Sequence, residues 1–211
     1  MRTRHPIPRQ WLMTDERMGE ALWTALEAMP RGAGVVVRHH ASAKRSVLLA
    51  RIERVARRRG LVVVGAGGLR ASGGVHNARR SGRGLVTRSA HSRRAAIAAR
   101  RSGADAVFVS PVWPTRSHPG ARTLGRARLG LMIRGLGIPV IALGGMDARR
   151  MRALWALGVY GWAGIDAWIA GRSGAQRPAA ADQKRKAVPT YTDWLSRRSS
   201  AKRGRRSSSD L

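Results

Sequence analysis

The segment from Gly103 to Gly145 constrains the fold more than any other part of the chain, because it predicts a strand, a long polar loop, a helix and a second strand in that order. The first apolar run, Ala106 to Pro111, leads into a loop rich in proline, glycine and hydroxyl side chains, and the second, Pro139 to Leu143, ends in Gly144 and Gly145. Two parallel strands joined through a helix form the repeating unit of open parallel sheets and of (β/α)₈ barrels. In both architectures the loops after the strands build the binding site, so this loop and the two glycines are candidate site elements.

The same alternation of apolar strand-length runs and amphipathic helical runs continues through residues 10 to 170. The predicted strands are Trp11 to Met13, Gly34 to Arg38, Leu61 to Val64, Gly74 to His76, Leu85 to Ala90, Ala106 to Pro111, Pro139 to Leu143 and Trp162 to Ile165. The predicted helices are Glu16 to Met29, Ala43 to Arg59, one capped by Ser92 that runs to Ser102, one after the long loop, and one capped by Asp147 that runs to Leu157.

This pattern predicts an α/β fold, a compact (β/α)₈ barrel of the TIM type. The connections after the third and fourth strands are short and glycine-rich, so no ordinary helix is expected there. An open doubly wound sheet is the alternative, but no GxGxxG motif follows the first strand.

Charge is the most unusual feature of the composition. The chain has a formal net charge of +30, and of its 41 basic residues only Lys44, Lys184, Lys186 and Lys202 are lysines. Arginine binds phosphate groups strongly, so nucleic acid is an alternative partner. The absence of cysteine excludes disulfides and thiolate metal sites, and no apolar run is long enough to be a membrane span or a signal peptide, so a cytoplasmic protein is expected.

Residues 171–211 differ in composition from the rest of the chain. They are rich in Gly, Ser, Ala and Arg and hold 11 basic residues against Asp182, Asp193 and Asp210. Such a segment buries too little apolar surface to fold by itself. The predicted organisation is therefore a barrel over residues 1–170 and a basic, largely disordered tail over residues 171–211.

Several short motifs resemble the thiamine phosphate synthase and thiazole tautomerase (TenI-like) family of thiamine biosynthesis. They are LMTDER at the first strand, VVVRHH at the second, GGVH at the fourth, TRSAHS at the fifth, SPVWPTRSHPG at the sixth, IPVIALGGM at the seventh and GWAGIDAW at the eighth. The form of the sixth motif is most similar to synthase-like domains fused to Nudix hydrolases. The resemblance implies a transferase that joins a hydroxymethylpyrimidine diphosphate to a thiazole phosphate and releases pyrophosphate.

The resemblance also implies site residues. Arg38 matches the family's diphosphate-binding arginine, Ser89 its strand-five serine and Thr115 the first threonine of the loop after strand six; these three are the predicted catalytic residues. Gly145 and the backbone of Ile165 and Asp166 match the family's cradle for the thiazole phosphate. Further predicted phosphate contacts are Gly144, Ser117, His118 and His40.

The family implies Mg²⁺ as a cofactor, but the chain departs from the family at both ligand positions. Gly65 and Ala66 replace the Asn-Asp pair after strand three, and the second aspartate falls near Ser81. Arg79 and Arg80 lie beside that position, and we expect them to converge with Arg38 on the mouth of the barrel and to supply the missing positive charge.

Two further departures concern the tautomerase and the cradle. Pro111 occupies the position of the catalytic histidine that the tautomerase branch implies. Asp166 occupies the position of a serine that the family implies in the cradle for the thiazole phosphate. Two alternative functions therefore accompany the synthase prediction: a non-catalytic binder of a phosphorylated heterocycle, and an arginine-rich barrel associated with nucleic acid.

Overall fold

A computed structural model of the chain describes residues 6–39, 44–80, 82, 84–117 and 119–169. Eight parallel strands close into a barrel in sequence order, with the eighth paired to the first. The strands are β1 (Gln10–Met13), β2 (Gly34–Val37), β3 (Val62–Ala66), β4 (Gly74–His76), β5 (Leu85–Ala90), β6 (Ala106–Val109), β7 (Val140–Leu143) and β8 (Gly161–Gly164). The predicted (β/α)₈ barrel is confirmed, and the open sheet is excluded.

Helices cover the outside of most of this barrel. They are α1 (Ala21–Ala28), α2 (Arg45–Arg59), α3 (Arg93–Arg101), α4 (Gly125–Ile133), α5 (Ala148–Arg152) and α6 (Asp166–Ile169). Side chains cap two of them as predicted: Ser92 accepts from the N–H of Ala95 at 3.2 Å, and Asp147 accepts from that of Arg150 at 2.7 Å. Among the described residues of the connections 67–73 and 77–84, none is helical, which agrees with the short connections expected after β3 and β4.

Two predicted helices are shorter than expected. The predicted helix from Glu16 to Met29 begins as a 3-10 turn, Glu16–Met18, and Gly19 at a φ of +47° separates it from α1. The predicted helix that ends at Leu157 is divided into α5 and a 3-10 turn, Trp155–Leu157. Helical periodicity in the sequence does not distinguish an unbroken helix from two short turns that bury the same face.

The barrel interior is filled by side chains from alternate positions of the strands. Trp11 and Phe108 are both fully buried, and their rings meet edge to face with centroids 5.3 Å apart. Gly34 lies opposite Trp11 in the register between β1 and β2, and a Cβ at that position would overlap the indole ring. The glycine therefore makes room for the largest side chain of the core.

Some predictions cannot be compared with the described residues. The tail (171–211), His40 and His118 lie outside them. Within the part of the chain that the structure describes, no helix is long and apolar enough to cross a membrane.

Candidate functional site

A cavity of about 910 Å³ opens at the carboxyl ends of the strands. Its walls come from the ends of β1 to β8 and from the β6 loop, defined here as residues 110–124 apart from 118. Eight of the predicted site residues line it: Arg38, Ser89, Thr115, Ser117, Gly144, Gly145, Ile165 and Asp166. Residues that are up to 128 positions apart in the sequence therefore meet in one place, because the carboxyl ends of parallel strands share one edge of the barrel.

Arg79 and Arg80 do not line this cavity. Arg79 is exposed, and Arg80 donates to Oδ2 of Asp105 at 2.8 Å and to the carbonyl oxygen of Gly84 at 3.0 Å. Asp105 and Gly84 directly precede β6 and β5, so Arg80 lies at the amino ends of the strands, opposite the cavity. The prediction that Arg80 converges with Arg38 on the mouth of the barrel is therefore wrong. After β4 the chain returns towards the amino ends of the strands, where Arg80 pairs with the carboxylate of Asp105.

Arg38 is held in the cavity wall by the end of β1. Its Nη2 donates to Oδ2 of Asp15 at 3.0 Å, and its backbone N–H donates to Oγ1 of Thr14 at 3.1 Å. Asp15 also accepts from Nε of Arg17 at 2.6 Å. This hydrogen bond from Arg17 lowers the pKa of Asp15 to about 2; burial opposes the shift, and the hydrogen bond from Arg38 adds to it. One buried carboxylate thus orients two arginines.

Two polar contacts hold the β6 loop across the mouth. Nη2 of Arg17 donates to Oγ of Ser117 at 3.0 Å, which joins the end of β1 to the loop. Arg116 forms an ion pair with Asp166 at 2.9 Å, which joins the loop to the end of β8. The carboxylate of Asp166, which would repel a phosphate in the predicted cradle, is therefore paired with a cation from the loop.

A chain of hydrogen bonds at the cavity floor ends on Ser89. Nδ1 of His76 lies 2.9 Å from Oγ1 of Thr87, and its Nε2 lies 3.0 Å from Oγ of Ser89. Asn77 donates to Oγ of Ser89 at 3.2 Å and accepts from the N–H of Ser89 at 2.7 Å. Asn77 has a φ of +54°, a conformation that Asn adopts more readily than most residues.

His76 therefore has two roles. Its ring is buried against Phe108, as a packing histidine would be, and it also orients a hydroxyl group that faces the cavity. Asn77 was not predicted as part of the site, because no sequence pattern marks a residue whose side chain positions Ser89 on the neighbouring strand.

Gly144 and Gly145 pack closely under the β6 loop. A Cβ on Gly144 would lie 2.8 Å from Cα of Pro111, and one on Gly145 would overlap the carbonyl oxygen of Pro114. Both residues also have positive φ angles, +91° and +59°. Only glycine satisfies both conditions, so the end of β7 presents bare backbone to the cavity.

The donor set of this cavity does not fit Mg²⁺. Ala66 presents a methyl group where the family implies an aspartate, Asp147 accepts from the N–H of Arg150 as a helix cap, and Asp166 is paired with Arg116. No group of three His, Asp or Glu side chains that could hold a metal occurs among the described residues. Mg²⁺ requires several oxygen ligands, and the carboxylates at hand are already engaged.

Several arginines near the cavity were not predicted as site residues. Arg116 and Arg150 line it, Arg17 contacts the loop over it, and Arg45 contacts two residues of its wall. Arg17 lies inside the LMTDER motif and Arg116 inside the SPVWPTRSHPG motif, and these positions could have identified both as site residues. Arg45 belongs to an arginine-rich helix and has no such signal.

A closed barrel with polar side chains around a cavity at the carboxyl ends of its strands defines a TIM barrel with a candidate ligand site. Residues 69–168 match the sequence model of the family described as thiamine monophosphate synthase. A thiamine-phosphate synthase of Pyrococcus furiosus is 32% identical over 83 residues, 39% of this chain and 40% of the relative. An Aquifex aeolicus protein named for the same activity is 38% identical over 85 residues, 40% of this chain and 46% of the relative.

The solved structure of a thiamine phosphate pyrophosphorylase from Pyrococcus furiosus has the same fold. It aligns with a TM-score of 0.63 at 20% identity, over 78% of this chain and 89% of that one. Over residues 69–168 the chain is similar to the thiamine phosphate synthase-like family. The matched segments span less than half the length of either curated relative.

Proposed function

We propose that the protein is a thiamine phosphate synthase-type transferase that uses a phosphorylated pyrimidine and a phosphorylated thiazole as substrates. The observation that carries this proposal is the meeting of Arg38, Ser89, Thr115 and Gly145 in one cavity of about 910 Å³. Each of them matches a residue of the family motifs, and the cavity has the size of a site for small molecules.

The reaction breaks the bond between the pyrimidine methylene carbon and the diphosphate oxygen, and the electron pair leaves with the diphosphate. The thiazole nitrogen then forms the new carbon–nitrogen bond. Such a step needs positive charge where the leaving group develops its negative charge. Arg38, which directly follows β2 and is oriented by Asp15, is the residue that we assign to the diphosphate, and the bare backbone around Gly145 and Ile165 is assigned to the thiazole phosphate.

Incubation of the full chain with hydroxymethylpyrimidine diphosphate and hydroxyethylthiazole phosphate tests the proposal. We expect thiamine phosphate, read as its fluorescent thiochrome derivative, and one pyrophosphate for each product molecule. Ser89→Ala should lower the rate at least about tenfold, because it removes the hydroxyl group that His76 and Asn77 orient. Ser72→Ala, on the exposed connection before β4, is the matched control.

A second candidate function follows from the misfit of Mg²⁺: a non-catalytic binder of a phosphorylated heterocycle. Saturable binding of thiamine phosphate with no turnover of the two precursors would favour the binder over the transferase. Binding of duplex DNA with a steep dependence on salt, and none of thiamine phosphate, would contradict both and favour the nucleic-acid alternative.

A further inference from the structure

Arg45 places a guanidinium group at the carboxyl end of β3. Its Nη2 donates to the carbonyl oxygen of Ala66 at 2.7 Å, and its Nη1 donates to that of Gly67 at 3.1 Å. Ala66 and Gly67 both line the cavity. The guanidinium group of Arg45 is therefore hydrogen-bonded to the backbone of Ala66, the residue that stands where the family resemblance implies a magnesium-binding aspartate.

The surroundings of Arg45 do not neutralise its charge. Both of its acceptors are neutral carbonyl groups, and no carboxylate forms an ion pair with it among the described residues. Its Nε is buried and has no hydrogen-bond partner in the part of the chain that the structure describes. A buried N–H without a partner is costly, so the hydrogen bonds of the two Nη groups to Ala66 and Gly67 hold Arg45 in this position against that cost.

The position of Arg45 in its helix adds to this cost. Arg45 is the first residue of α2, it follows Lys44, and the first turn of the helix has no acidic residue. The amino end of a helix carries partial positive charge, so a cation there is unfavourable unless an anion is close. The final turn of α2, with Arg57, Arg58 and Arg59, has the favourable arrangement instead.

Arg38 lies on the neighbouring strand end. Val37 of β2 pairs with Gly65 of β3, so Arg38 and Ala66 follow side by side on the barrel rim. Burial lowers the pKa of His39; the charges of Glu16 and Asp15 oppose that shift, and the charges of Arg38 and Arg45 add to it. The two guanidinium groups therefore act on the same small region at the ends of β2 and β3.

We propose that Arg38 and Arg45 together bind the diphosphate group of the ligand in place of a divalent cation, so that this site takes diphosphates without Mg²⁺. The proposal rests on the proposed function in that it assigns the diphosphate to the same cavity. The two guanidinium groups carry two positive charges, which the carboxylate of Asp15 beside Arg38 offsets in part. Each Nη nitrogen of Arg45 carries a second N–H besides the one donated to a carbonyl group, and this N–H can be donated to a phosphate oxygen. When the carbon–oxygen bond breaks, these groups stabilise the electron pair on the departing diphosphate.

Calorimetric titration of the full chain with inorganic pyrophosphate, in EDTA and in Mg²⁺ with correction for the magnesium–pyrophosphate complex, tests the proposal. We expect the two dissociation constants to agree within about twofold, and Arg45→Gln to weaken binding in EDTA at least about tenfold. Arg54→Gln, on the exposed side of the same helix, removes the same charge away from the cavity and should change the constant by less than about twofold.

Two measurements make the result decisive. Arg45→Lys keeps the charge but loses the paired geometry, so its affinity should fall between those of the wild type and Arg45→Gln. Thiamine phosphate, whose single phosphate we assign to the backbone near Gly145, should bind Arg45→Gln nearly as well as the wild type, which also shows that the variant is folded.

Pyrophosphate binding that requires Mg²⁺, or that is unchanged in Arg45→Gln, would overturn the proposal while leaving the proposed function intact. If thiamine phosphate and both precursors failed to bind the wild type, the proposed function would fail, and the pyrophosphate titration would still decide the role of Arg45.

Discussion

Nη2 of Arg38 donates a hydrogen bond to Oδ2 of Asp15 at 3.0 Å, and the carboxylate that receives it is only 12% exposed. The pKa of Asp15 lies at about 2 in the folded protein, chiefly because of the hydrogen bond from Arg17, against 3.8 for an ordinary aspartate. A carboxyl group with a lowered pKa stabilises the fold at pH values above its unfolded pKa, and this contribution is lost as the pH falls.

The first prediction concerns the pH dependence of stability. Asp15→Asn should lower the free energy of unfolding by about 2 kcal/mol at pH 6. The difference in the free energy of unfolding between wild type and variant should shrink as the pH falls through 3.8 towards 2, because the carboxylate of Asp15 becomes protonated and is then uncharged, like the amide of the variant. Urea unfolding at a series of pH values measures it, and a difference that stays constant down to the lowest pH would contradict the ion-pair explanation.

The second prediction concerns anion affinity. Arg38→Ala should weaken the binding of pyrophosphate by about 2 to 3 kcal/mol, because a charge-assisted hydrogen-bonding group leaves a desolvated site. Arg101→Ala, at the exposed end of α3, is the control for lost net charge. Equal affinities of Arg38→Ala and wild type in calorimetric titrations would remove Arg38 from the site.

The third prediction follows from the position of Arg80. Arg80→Gln should reduce the free energy of unfolding by about 1 kcal/mol, because Asp105, which is largely buried, loses its ion-pair partner. Its affinity for pyrophosphate should not change, since Arg80 lies at the end of the barrel opposite the cavity. The neighbouring exposed Arg79 is the matched control, and Arg79→Gln should leave both quantities unaltered. Loss of pyrophosphate affinity in Arg80→Gln alone would show that the residue acts at the mouth after all.

The fourth prediction concerns the barrel core. Gly34→Ala should destabilise the protein by about 1 to 3 kcal/mol, because the new methyl group overlaps the indole of Trp11 in a closely packed interior. Gly130→Ala, in α4, places its methyl group 3.5 Å from Leu157, an ordinary contact, and should stabilise the helix by about 0.5 to 1 kcal/mol. Chemical unfolding of both variants measures the two effects, and equal stabilities would refute the packing argument.

Much of the site was predictable from the sequence because of one geometric rule. Residues that follow apolar strand patterns, such as Arg38, Gly145 and Asp166, must reach the same rim once the strands are parallel. The resemblance to family motifs then named Ser89 and Thr115. Neither argument applies to Arg79 and Arg80, because their connection has no periodic pattern that says to which end of the barrel it carries its side chains.

Periodicities of two and of about 3.6 residues can be read along the chain, so they predict the alternation of strands and helices and the edge at which a cavity opens. Long-range packing was needed to close the sheet into a barrel and to choose which charges meet. Arg17 and Ser117 are 100 positions apart, Arg80 finds Asp105, and Arg45 rests on the backbone of Ala66. Such pairs join segments that are far apart in the sequence, and no periodic pattern gives the distance between them in the fold. With 41 basic residues in the chain, each carboxylate also has many possible partners, so composition does not identify the pair that forms.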